Sequence, residues 1–113
     1  MNVNELMIDI ISKEIGQAAL WEQLAEECTE LAKEALKYAR IIRNDNPTPV
    51  TRDEVAQNAI EEYNDIQLVV QCLKIPNDVH QQEKKLTRWF GRVTSNKDLS
   101  RFDITDMLGV EFD

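Results

Sequence analysis

A glutamate lies inside the apolar stripe of one predicted helix. The stripe is made of residues that recur at steps of three and four: Val55, Ala59, Glu62, Ile66, Val69 and Leu73. This spacing stacks side chains on one face of an α-helix, so Glu62 faces the same side as its apolar neighbours. An ionised carboxylate in such a place is costly unless a cation, a base or a metal pairs with it. The pattern therefore predicts a helix and also a partner for Glu62.

The rest of the chain favours the same fold class. Among 113 residues there are only 3 Gly and 3 Pro, so the turns that separate short strands are scarce. Residues with high helix propensity fill the periodic stretches. We predict an all-α fold, a bundle of about four helices in a single domain over residues 1–113.

Periodicity and capping residues indicate where the helices lie. The first two cover about 4–14 and 18–42, and the polar stretch 44–49 contains two prolines that a helix cannot continue through. Thr51 and Glu54 form a capping box that starts a third helix, which ends near Leu73. Asn77 or Asp78 caps a fourth, which ends near Val93. Residues 94–113 are a tail, with a single turn over 103–108 or an irregular arm against a neighbouring subunit.

Each of the other helices also has an apolar face. Leu6, Ile10 and Ile11 form that of the first helix. In the second, the predicted bundle seam consists of Trp21, Leu24, Cys28, Leu31, Ala35, Tyr38 and Ile42. In the fourth, it consists of Val79, Leu86, Phe90 and Val93. Cys28 and Cys72, the only cysteines, are interpreted as small apolar fillers and not as a disulfide or zinc site.

Charge and hydropathy exclude several classes of function. The 21 acidic and 13 basic residues give a formal charge of −8, which disfavours general nucleic-acid binding and anionic membrane surfaces. There is no apolar run of about 18 residues. The first eleven residues carry Asp and Glu where a signal peptide would carry Lys or Arg. We expect a cytoplasmic protein that does not bind membranes.

Two acidic clusters predict a metal site. Glu27 and Glu30 project from neighbouring positions of the second helix. On the third helix, Asp65 borders the stripe one turn after Glu62, and Asn58 lies one turn before it. If the two helices pack side by side, the four carboxylates meet in one pocket of oxygen ligands. Such a pocket suits Mg²⁺ or Mn²⁺ better than zinc or copper.

The fourth helix carries the opposite charge. Lys85, Arg88 and Arg92 recur at steps of three and four, so they share one face. A phosphate chain that is bridged by Mg²⁺ on one side could be held by these cations on the other. Together the acidic and basic clusters predict a phosphate ligand.

The order of these motifs resembles a known family. Glu26–Leu31 looks like the EExxE element of the MazG-like all-alpha nucleoside triphosphate pyrophosphohydrolases, and Glu61–Ile66 looks like the ExxD element. The later run Lys84–Phe90 is similar to the basic segment of that family. The resemblance spans roughly residues 17–93.

The resemblance implies a reaction and a site. Glu27, Glu30, Glu62 and Asp65 match the magnesium ligands of the family, and Lys85 and Arg88 match the positions that meet the triphosphate. The family hydrolyses (d)NTPs to (d)NMPs and pyrophosphate. Either Glu26 or Glu30 is the candidate general base. Asn58, Trp21 and Arg92 are further candidate substrate contacts. Family members are usually homodimers or homotetramers whose helical bundle is completed between chains.

Simpler interpretations of the same residues stay open. Glu27 and Glu30 fit a solvated acidic face, and Glu62 fits a buried ion pair with Lys or Arg. The basic face fits a solubilising or intersubunit surface, and Trp21 and Trp89 fit the core as well as base stacking.

Two functions of other classes also compete with the hydrolase. One is an acidic helical interaction module or regulator, which would use the carboxylates against a basic partner without catalysis. The other is a di-iron bundle, which ranks last because its Glu-x-x-His pairs are absent from the sequence.

Overall fold

The computed structural model describes residues 1–44 and 50–95, and all regular structure within these ranges is α-helical. The described residues form four helices, α1 (Val3–Ile15), α2 (Gln17–Arg43), α3 (Arg52–Leu73) and α4 (Val79–Thr94). The predicted all-α class is thus confirmed, and every predicted helix bound that falls in the described ranges is correct to within one or two residues. The predicted tail, with its turn over 103–108, lies outside the described residues apart from its first two positions.

Local hydrogen bonds explain where the helices start and stop. At the start of α3, Glu54 N–H donates to Thr51 Oγ1 (3.1 Å) and Thr51 N–H donates to Glu54 Oε2 (3.3 Å), which is the predicted capping box. Asp78 caps α4 by accepting from Gln81 N–H. Between α1 and α2 the chain bends at Gly16, whose φ of +89° favours glycine.

The chain forms two compact units, with α1–α3 in the first (Met1–Ile75) and α4 in the second, which begins at Pro76. In the first unit, α2 and α3 form an antiparallel pair. At one end Arg52 Nε donates to the Tyr38 hydroxyl (3.0 Å), and at the other end Leu20 packs with Val69. The single domain predicted for 1–113 includes the tail and stays a prediction.

The apolar core of the first unit lies at the end of the pair away from the α2–α3 connection. Its buried cluster consists of Leu20, Val69, Cys72 and Leu73, with Ile8 and Leu24 packed against it. α1 is fastened here by polar contacts as well. The Ser12 hydroxyl lies 2.7 Å from the carbonyl oxygen of Cys72, and Lys74 Nζ lies 2.9 Å from Asp9 Oδ1.

The face that α2 turns inward differs from the predicted seam. Trp21, Cys28, Ala35 and Ile42 are exposed. The inward residues, which are buried or partly buried, are Leu20, Leu24, Glu27, Leu31, Glu34, Tyr38 and Ile41. Two stripes with helical spacing share Leu24, Leu31 and Tyr38, and the sequence favoured the more apolar one. The prediction was wrong because two glutamates lie on the true inner face.

α1 also contradicts its predicted orientation. Leu6, Ile10 and Ile11 are exposed, whereas Ile8, Asp9 and Ser12 are partly buried. The side of α1 that packs includes polar residues, because Ser12 contacts Cys72 and Asp9 contacts Lys74, so the periodicity of the apolar residues does not identify it. The stripe of α3 is as predicted, because Val55, Val69 and Leu73 are buried and its remaining members are partly buried. Cys72 is buried as a core filler, but Cys28 is exposed.

Candidate metal centre

Three carboxylates from α2 and α3 meet in the middle of the helix pair. Glu27, Glu62 and Asp65 each offer an oxygen atom, and these atoms all lie within 4.8 Å of one another. All three residues are partly buried. This spacing lets one cation contact all three side chains, since Mg²⁺ binds oxygen ligands at about 2.0–2.1 Å.

The helix register explains why these side chains meet. Because α2 and α3 are antiparallel, the Tyr38–Arg52 contact at one end and the Leu20–Val69 contact at the other set the register between them. Glu27 and Glu62 therefore lie at the same level. Asp65 joins them because it follows Glu62 by three residues, which is nearly one helical turn.

The electrostatics of the cluster are unfavourable without a ligand. Two causes raise the pKa of Glu62 to about 7. The first is a hydrogen bond with the neighbouring Glu27 carboxylate, which requires a shared proton, and the second is the loss of hydration. The negative charges of Glu27, Asp65 and Glu30 add to this rise in pKa. Glu62 Oε2 is buried and accepts no hydrogen bond. Among the described residues no Lys or Arg forms an ion pair with Glu62. The alternative interpretation of Glu62 as half of a buried ion pair therefore finds no partner in this part of the chain.

Besides Glu27, one more carboxylate lies on the inner face of α2, and the site predicted from the sequence did not include it. Glu34 follows Glu27 by seven residues, and its side chain is only 12% exposed. Lys37 Nζ donates to Glu34 Oε1 (3.2 Å), whereas Glu34 Oε2 is buried without a partner. The signal in the sequence is its spacing from Glu27 and Leu31, which is that of the inner face.

The candidate bases lie beside the three-carboxylate cluster on α2. Glu26, Glu27 and Glu30 line a shallow recess together with Ala25 and Thr29. The Glu30 carboxylate accepts from Lys33 Nζ (3.2 Å), and its side chain is half exposed. Glu30 therefore stands outside the group of three that the structure brings together, and its predicted role as a ligand stays a prediction.

The remaining predicted residues are exposed. Trp21 lies on an outer face of α2 and Asn58 on an outer face of α3. Lys85, Arg88 and Arg92 lie on α4, where Arg88 also lines a surface groove with His80, Glu83, Lys84 and Thr87. Because α4 belongs to the second unit, the meeting of these cations with the carboxylates stays a prediction.

The donor set fits a hard divalent cation. It consists of carboxylate oxygens, and Glu62 Oε2 is an orphaned acceptor that a cation would satisfy. Binding a cation would also relieve the repulsion that raises the pKa of Glu62. The residues present therefore suit Mg²⁺ or Mn²⁺.

Comparisons with protein-family models, with curated proteins and with solved structures found no match to this chain. Within residues 1–44 and 50–95, none of the helices combines the length and apolar character needed to cross a membrane. The case for a function therefore depends on the carboxylate cluster itself.

Proposed function

We propose that this protein is a magnesium-dependent nucleoside triphosphate pyrophosphohydrolase of the MazG-like family, which converts a (d)NTP to a (d)NMP and pyrophosphate. The observation that supports this most is the meeting of Glu27, Glu62 and Asp65 at one level of the α2–α3 pair. These residues belong to the two motifs, EExxE and ExxD, that carry the resemblance to the family.

The cluster supplies the metal ligands in this proposal. Glu27, Glu62 and Asp65 would hold Mg²⁺, or Mn²⁺ in its place. A divalent ion held by these residues would neutralise phosphate oxygens and lower the pKa of a bound water. Glu62 binds best as the carboxylate, so the proton that it retains below about pH 7 would compete with the metal.

Glu26 and Glu30 are the candidates for accepting the proton of the attacking water. Both lie in the recess next to Glu27 on the same helix. The Glu30 carboxylate accepts from Lys33 Nζ (3.2 Å). Glu26 makes no ion pair among the described residues, so its carboxylate is available to a water molecule.

The basic face of α4 supplies the phosphate-binding residues in the proposal. Lys85 and Arg88 would donate to phosphate oxygens, with Arg92 one turn further along. Trp21 and Asn58 remain candidate contacts for the base or sugar. Because these residues are exposed, substitutions there should leave the fold intact.

Substitution of Glu62 tests the proposal. With Mg²⁺ and a panel of NTPs and dNTPs, we expect pyrophosphate release from the natural chain and its loss in Glu62→Gln, because an amide removes the ligand charge. Glu61→Gln is the matched control, since Glu61 is the adjacent residue but is exposed and outside the cluster. Circular dichroism should show equal helical content in both variants.

Two results would contradict the proposal. Full turnover in Glu62→Gln would remove the cluster from the mechanism. The second result is that the natural chain releases no pyrophosphate from any nucleotide of the panel and that Mg²⁺ does not change its melting temperature. This result would favour a non-catalytic acidic interaction module, because a ligand that binds the folded state must stabilise it.

A further inference from the structure

Only a short stretch of α1 contacts the α2–α3 pair within the described residues. Three of the 13 residues of α1, namely Ile8, Asp9 and Ser12, are partly buried, and the others are exposed. Ile8 packs against the core cluster, the Ser12 hydroxyl donates to the Cys72 carbonyl oxygen (2.7 Å), and Asp9 pairs with Lys74 (2.9 Å). Segments with so few buried apolar side chains are the parts of a fold that open most easily.

A single residue joins α1 to α2. α1 ends at Ile15 and α2 begins at Gln17, so Gly16 alone sets the direction of α1. Its φ of 89° and ψ of 159° lie in a region that is essentially open to glycine only. A Cβ atom at this position would meet nothing within 4 Å in the described part of the chain. The backbone conformation, and not a lack of space, therefore requires glycine here.

Rotation about the φ and ψ bonds of Gly16 would move α1 without breaking either helix. The Gly16 N–H, which donates to the Ser12 carbonyl oxygen (3.0 Å), lies on the α1 side of both bonds. The Gly16 carbonyl oxygen, which accepts from Leu20 N–H (3.1 Å), lies on the α2 side of both bonds. Because peptide units are planar, each hydrogen bond stays within its own helix, and α1 can swing as a unit.

The part of the core that α1 covers includes a thiol. Cys72 is 6% exposed and belongs to the core cluster against which Ile8 packs. Ser12 contacts the carbonyl oxygen of the same residue. If α1 swings away, Cys72 loses both of these neighbours, whereas Leu20 and Val69 still pack against each other between α2 and α3. Movement of α1 should thus uncover Cys72 without unfolding the pair.

We propose that α1 is a hinged strap, which swings about Gly16 and uncovers the packed end of the α2–α3 pair while the pair stays folded. The Ser12–Cys72 hydrogen bond and the Asp9–Lys74 ion pair form the latch that holds the strap closed. The strap is thus a conformational switch that controls access to the apolar end of the pair. The proposal uses none of the residues of the metal cluster and is independent of the hydrolase activity.

Alkylation of the two thiols tests the strap. Iodoacetamide is added to the natural chain, and peptide mass spectrometry follows Cys28 and Cys72 separately. Cys28 is exposed and should react at once, which checks the reagent. The rate at Cys72 should change little with urea below the unfolding transition, because opening of α1 alone exposes little surface. A rate at Cys72 that rises with urea as steeply as the unfolding constant would overturn the proposal.

Substitutions in the latch and the hinge test the mechanism of opening. Asp9→Asn should raise the alkylation rate of Cys72 about twofold to fivefold, the effect of losing a partly exposed ion pair. Gly16→Ala strains the closed backbone and should raise this rate about tenfold. Glu14→Gln is the matched control and should change nothing, because Glu14 is an exposed carboxylate of α1 outside the latch. Equal Cys72 rates in Asp9→Asn, Gly16→Ala and Glu14→Gln, with helicity unchanged, would overturn the proposal.

Discussion

The α2–α3 pair contains two regions with opposite effects on stability. At the end covered by α1, Leu20 and Val69 bury apolar surface against each other, and burial of this kind contributes roughly 25 cal/mol per Å². In the middle of the pair, Glu27 and Glu62 bring like charges together in partly buried positions. The first region stabilises the fold without help. The second lowers stability until a cation or a proton reaches it, which is the behaviour expected of a binding site.

Contacts on both sides of the acidic cluster hold its two helices together. The packed end is fastened to α1 by the Ser12 hydroxyl and by the ion pair of Asp9 with Lys74, so the helices are held firmly on one side of the cluster. On the other side, Arg52 donates to the Tyr38 hydroxyl and lies over its ring. Glu27 and Glu62 are thus held close together from both sides although they repel each other.

The largest effect should follow from damage to the packed end. Leu20 is 1% exposed, so Leu20→Ala should lower the free energy of unfolding by about 2–5 kcal/mol through lost burial and a residual cavity. Urea unfolding followed by circular dichroism measures it. Leu68→Ala, at an exposed site on α3, is the control and should change the free energy by less than about 0.5 kcal/mol. Equal effects of the two variants would contradict the assignment of the core.

By contrast, a proton or a cation that neutralises the acidic middle of the pair should raise the stability of the fold. The pKa of Glu62 is raised from 4.5 to about 7, so the folded chain binds this proton more tightly than the unfolded chain does. The stability that the proton contributes is present below about pH 4.5 and is lost as the pH rises to about 7. The melting temperature without divalent ions should therefore fall over this interval, and Mg²⁺ should restore it above pH 7.

Glu62→Gln separates this effect from other titrations. The variant should remove the fall in melting temperature between pH 4.5 and 7, lose the response to Mg²⁺, and be more stable than the natural chain at higher pH. Asp9 does not interfere, because its pairing with Lys74 lowers its pKa below 3.8, outside this interval. A pH profile that is the same in Glu62→Gln and in the natural chain would refute the assignment to Glu62.

The smallest effect should come from a site that belongs to neither region. Thr51 caps α3 beyond the acidic middle, and Thr51→Ala should cost about 1 kcal/mol of unfolding free energy because a helix N–H loses its acceptor. Thr51→Ser keeps the hydroxyl and should recover most of the loss. Both variants should keep the pH profile and the Mg²⁺ response of the natural chain, whereas a changed response would mean that the α3 terminus is coupled to the cluster.

Local features of the sequence were sufficient to determine the helices. The capping box of Thr51 and Glu54 and the cap at Asp78 act over a few residues, so their effects can be predicted without knowledge of the fold. Glu62 could also be assigned to the inner face of α3, because it recurs at helical spacing with the apolar residues Val55, Ile66 and Val69. The meeting of Glu27, Glu62 and Asp65 followed from these two inferences and the pairing of consecutive helices.

The tertiary structure decided what local spacing leaves open. α2 has two stripes of helical period, and only its packing against α3 shows that Glu34 faces inward and Trp21 outward. The most apolar side of α1 is not the side that packs, because the contacts of Ser12 and Asp9 select the face that it buries. The physical reason is that a helix determines the angles between its own side chains, whereas its rotation about its axis depends on the neighbour with which it packs.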